Sequence, residues 1–143
     1  MNRDFRTTPP PLARQPPSGN ILRPTVRQSA YETIYQTILN QTGGDTDEHI
    51  TDILADCRDL VDIRISVLSP VACNFTIVGN EYNSGNGAGD IGVSNTAVAG
   101  IKERIVLSTD EWMPFIGVKY QLSSAISVGN IIIVVIGRRL YAD

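Results

Sequence analysis

Few residues in this chain are equipped for chemistry. It holds one histidine, His49, and two cysteines, Cys57 and Cys73. Any Ser-His-Asp or Cys-His arrangement must recruit that single imidazole, and no serine lies in a nucleophile-elbow sequence. His49, Asp52, Asp56 and Cys57 are spaced so that one helix would gather them. However, Cys57 belongs to an apolar stripe, and no second histidine is available to complete a metal site. Asp45-Thr46-Asp47-Glu48-His49 opens like a calcium loop, but Ile50 stands where the tight turn needs Gly and Asp56 where a bidentate Glu belongs. Gly85-Asn86-Gly87-Ala88-Gly89-Asp90 lacks the Lys-Ser/Thr ending of a phosphate loop and occurs once, so it reads as a strand connection. Asp110-Glu111 beside Trp112 resembles the carboxylate pair of sugar hydrolysis, but adjacent acids on an extended chain point to opposite sides. Trp112, Tyr82 and Tyr120 are candidates for stacking on a sugar, with ordinary core packing as the competing role. The sequons at Asn40 and Asn74 read as chance, because no apolar signal segment is seen from Met1 to Arg27. The expectation is a non-enzymatic protein with no cofactor and no metal.

The elements that would carry these residues fall into three stretches of different composition. Residues 1–27 hold six of the eight prolines and five arginines, Arg3, Arg6, Arg14, Arg23 and Arg27, against one acid, Asp4. Proline fixes φ and removes the N–H, so this stretch reads as an extended arm without a core. Residues 28–62 are acidic, with Arg58 the only base. Tyr31, Ile34, Tyr35, Ile38 and Leu39 fall on a helical stripe ended by Gly43-Gly44. A second stripe comprises Ile50, Ile53, Leu54, Cys57, Leu60 and Val61. Two short α-helices are predicted. Residues 63–143 are balanced in charge, β-branched and glycine-rich. Strands are predicted at Ile63–Val67, Cys73–Gly79, Ile91–Val98, Lys102–Ser108, Phe115–Leu122 and Ala125–Leu140, the last broken near Gly129-Asn130. The fold class is therefore mainly β: an antiparallel β-sandwich of jelly-roll type, preceded by two helices and an arm. No apolar run is long enough to cross a bilayer as a helix, so no membrane partner is expected.

Trp112-Met113-Pro114-Phe115-Ile116-Gly117-Val118-Lys119-Tyr120-Gln121-Leu122, followed by Ala125-Ile126-Ser127-Val128-Gly129-Asn130 and Ile131–Val135, resembles the closing strands of a known family. That family is the jelly-roll cement, or decoration, proteins on the heads of tailed bacteriophages, and the resemblance covers residues 103–140. It implies a virion protein, assembled in the host cytoplasm, that binds the outside of a capsid and joins neighbouring subunits of the major capsid protein. The arm and the residues up to 62 lie outside the resemblance.

Physical reasoning from the residues supplies the contacts such a protein would need. The five arm arginines suit acidic grooves on a protein partner. The run Ile131–Ile136 leaves a second apolar face, Ile132, Val134 and Ile136, to be sheltered either by the two predicted helices or by an oligomer or capsid contact, with a dimer or trimer both allowed. The competing function classes are a carbohydrate- or receptor-binding sandwich of a virion, and a structural domain whose basic arm binds nucleic acid. The acidic overall balance disfavours nucleic acid.

Overall fold

The structure, a computed structural model, describes residues 30–140; the arm and its five arginines lie outside the described residues. The compact unit Thr33–Arg139 is built on strands. They are β1 (Tyr31–Gly44), β2 (Glu48–Ile50), β3 (Ala55–Asp56), β4 (Val61–Leu68), β5 (Cys73–Asn80), β6 (Gly89–Asp90), β7 (Asn95–Ala97), β8 (Glu103–Val106), β9 (Phe115–Leu122) and β10 (Ile126–Leu140). The one helical element among the described residues is a 3-10 turn, Thr109–Glu111.

Two antiparallel sheets result. The first has the order β1-β10-β4-β8, and the second β2-β9-β5-β6, with β3 also on β9 and β7 also on β5. β2 and β3 pair different stretches of one side of β9, and β6 and β7 do the same along β5. Each pair is one interrupted strand. Counted so, the described residues fill eight strand positions, ordered 1-8-3-6 in the first sheet and 2-7-4-5 in the second.

Alternation along the strands drives the sheets together, because side chains two apart share a face. Ile63, Ile65 and Val67 of β4 and Ile131, Ile133 and Val135 of β10 point inward from the first sheet. Cys73, Phe75 and Ile77 of β5 meet them from the second, with Ile116, Val118, Tyr120 and Leu122 of β9. All lie in one buried cluster, each large apolar side chain contributing roughly 1.5–3 kcal/mol on leaving water. One flank is closed by Gln36, whose amide donates to the Asp56 carbonyl at 2.8 Å and accepts from the Asp56 N–H at 2.9 Å. This side chain ties β1 of one sheet to β3 of the other.

The two predicted helices are corrected to strands. In Tyr31–Gly44, Ile34 and Ile38 are four apart, a separation that places residues on one face of a helix and of a strand alike. The β-branched Thr33, Thr37 and Thr42 and the aromatic Tyr31 and Tyr35 favour the extended form, and pairing with β10 selects it. The second stripe dissolves into β2, a loop and β3. Thr51 keeps the interrupted strand registered, its N–H donating to the Val118 carbonyl at 3.0 Å and its Oγ1 accepting from the Val118 N–H at 3.3 Å. The sandwich thus draws strands from residues 28–62 as well as 63–143. The predicted break near Gly129-Asn130 is also corrected. Gly129 has φ +100°, but β10 runs through it, held by Asn130 hydrogen bonds to Asn40 and Thr42.

The outer face of the second sheet has its own cover. Leu54 and Val78 are buried outside the main cluster, where the loop Thr51–Leu54 folds over Gly117. Asn83 Oδ1 accepts from the Leu54 N–H at 2.9 Å, and Gly85 presses against the Thr51 carbonyl. The glycine cluster therefore acts as the connection from β5 to β6, close-packed at Gly85 and open at Gly87 and Gly89.

Candidate interaction surface

The opposite outer face, on the first sheet, carries a different chemistry. Ile132, Val134 and Ile136 alternate with the buried Ile131, Ile133 and Val135 and are half-buried. Their cross-strand partners on β4 are Leu68, Ser66 and Arg64, and beyond these Arg104 and Val106 of β8 face Ser66 and Arg64. On the other side, Tyr35 of β1 is 68% exposed, and Val106 is 65% exposed. An apolar stripe thus runs along the middle of a sheet face edged by Arg64 and Arg104. The structure places all three predicted contact residues of β10 together on this face.

At one end of the face β4 and β8 part. Leu107 still donates to the Ile63 carbonyl at 2.9 Å, but the chain then leaves through Ser108 into the 3-10 turn. The gap is a cleft of about 350 Å³ whose lining includes Val61, Asp62, Arg64, Val106, Ser108 and Trp112. Two local features shape it. Between the pairs Ile136–Arg64 and Arg138–Val61 one residue of β10, Gly137, opposes two of β4, Ile63 and Asp62, and the extra β4 position is Asp62, at φ +54°. This is a β-bulge whose left-handed position, usually Gly, is taken by Asp. The bulge leaves Asp62 paired with Arg138, Nε to Oδ2 at 2.9 Å. Secondly, the Trp112 indole N–H donates to the Cys57 carbonyl at 2.9 Å, fixing a ring that remains 39% exposed.

The other candidates for chemistry are dispersed. His49 lies on β2, its Nε2 2.7 Å from Asp45 Oδ1 and its ring 5.8 Å from that of Tyr120. The hydrogen bond to His49 holds the Asp45 carboxyl below its ordinary range. Asp56 is likewise lowered, chiefly by its hydrogen bonds to Arg58, whose guanidinium lies over Phe115. Burial pushes the Cys57 thiol up to about 12 and that of Cys73 up to about 11, so both are held in the unreactive protonated form. Glu111 accepts from the Ser108 N–H at 3.3 Å, a capping role. Among the described residues no three His, Cys, Asp or Glu side chains gather as metal ligands, and no helix is long and apolar enough to cross a membrane. Of the stacking candidates, Tyr120 is 4% exposed and belongs to the core, Tyr82 stands on the loop after β5, and only Trp112 lines the cleft. Sequence reasoning missed Asp62, Arg64 and Ser108, because their convergence depends on a bulge and a strand pairing between distant segments. No model of a protein family, no curated protein and no solved structure matches the chain.

Proposed function

We propose that this protein is a structural component of a virion, a cement or decoration protein that binds the surface of a shell built by a major capsid protein. The observation that carries the reading is the outward stripe Ile132, Val134 and Ile136, edged by Arg64 and Arg104, on an otherwise complete sandwich. Interface centres are apolar, with arginine the cation they favour, and a phosphate backbone gains nothing from such a stripe. The strand order 1-8-3-6 and 2-7-4-5 agrees with a jelly roll, an architecture used in viral capsid domains. A stable interface takes roughly 20–30 residues a side, more than the outward positions of these strands supply. Adhesion therefore draws on a homo-oligomer and on the arm, whose separate weak contacts add through avidity.

Antibody raised against the recombinant protein should label the outside of intact purified particles. Val134→Lys, which leaves the inward Ile133 and Val135 untouched, should fold normally by circular dichroism yet fail to co-sediment with those particles. Deleting residues 1–27 should lower occupancy. A protein absent from particles, or a Val134→Lys variant bound as well as wild type, overturns the reading.

A further inference from the structure

We infer that the cleft between β4 and the segment following β8 is a binding site for a carboxylated sugar, and this inference stands independently of the shell reading. The cleft has about 350 Å³, at the lower end of the roughly 300–1,000 Å³ of small-ligand sites. Its central feature is Trp112, the sole tryptophan of the chain. A buried indole N–H takes a protein partner, and here that partner is the Cys57 carbonyl at 2.9 Å. The ring is thereby locked before any ligand arrives, with more than a third of its surface open. A fixed, half-open indole suits the C–H face of a pyranose, which needs a flat apolar platform and loses little when that platform is already ordered.

The polar groups of the same cleft select the rest of the ligand. Ser108 and Thr109 bring hydroxyls able both to donate and to accept. Asp62 brings a carboxylate that the bulge and Arg138 hold in place, an acceptor for sugar hydroxyls. Its charge is answered by Arg138. Arg64, in contrast, has no ion-pair partner among the described residues, although it lines the cleft. The cleft therefore carries an uncompensated positive charge. A guanidinium presents two parallel N–H donors that match a carboxylate, so the ligand carries its own acid, as uronic and sialic acids do. A neutral hexose would satisfy the platform and leave Arg64 unanswered.

The single tryptophan makes the test direct, because its emission reports this cleft alone. Titration with glucuronic acid or N-acetylneuraminic acid should change Trp112 fluorescence saturably, with a dissociation constant on the order of 1 mM. Glucose should bind about tenfold more weakly. Arg64→Gln should abolish that preference by weakening binding of the acids, and Tyr82→Ala, outside the cleft, should change binding of neither acid nor glucose. Trp112→Phe, followed by calorimetry, should keep the preference for the acid at reduced affinity. No saturable change with either acid, or an Arg64→Gln variant with the preference intact, overturns the inference.

Discussion

At Gly117 the fold leaves no room for a methyl group. A Cβ there would stand 2.2 Å from Leu54 Cδ2 and 2.7 Å from Thr51 Oγ1, the two side chains that seal the outer face of the second sheet. Gly117→Ala must push the Thr51–Leu54 loop outward, and a loss of about 1–3 kcal/mol is expected, read as a lower urea midpoint. Gly89→Ala, in open space, should change stability by less than about 0.5 kcal/mol. The two cysteines behave as small apolar residues. Neither should react with a thiol reagent at mildly alkaline pH until the chain is unfolded, when both should. In the unfolded chain they ionise around their ordinary 9, whereas the folded protein keeps the protons to about 11 at Cys73 and about 12 at Cys57. The native state then binds more protons, so stability must fall as pH rises above about 9. Urea midpoints measured across that range should decline, and less steeply in a Cys57→Ala, Cys73→Ala variant.

Among the elements, β9 and β10 show what a sequence can and cannot declare. Phe115–Leu122 is legible to the residue, since Ile116, Val118, Tyr120 and Leu122 alternate without interruption. β1 is not, because the four-residue separation of Ile34 and Ile38 satisfies both periods and only the neighbouring β10 decides between them. The cleft was legible only at Trp112. The register slip that adds Asp62 to the rim is a property of two strands some seventy residues apart, invisible in either alone. Within β10 the two faces should separate cleanly in energy. Ile133→Ala empties a fully buried position and should cost about 2–5 kcal/mol. Ile132→Ala, half-buried on the other face, should cost clearly less; chemical denaturation of the two variants makes the comparison. Equal losses would mean that the outward stripe is already covered in the isolated protein.

For the molecule as a whole, the sandwich arises from three cooperating choices. Alternating apolar strands fill one interior, Gln36 and Thr51 stand in for missing backbone partners, and glycine admits close approach where the chain crosses itself. The interruption between β2 and β3 frees the loop Thr51–Leu54 that wraps the second sheet, held there by Asn83 of the β5–β6 connection. One broad side of the block is consequently upholstered by its own chain, while the other, among the described residues, presents a half-buried apolar stripe fringed with guanidinium groups. Such a body has a front and a back, like a tile glazed on one side only. A lawn of these tiles would settle in one orientation, and what the surroundings then meet is the padded side.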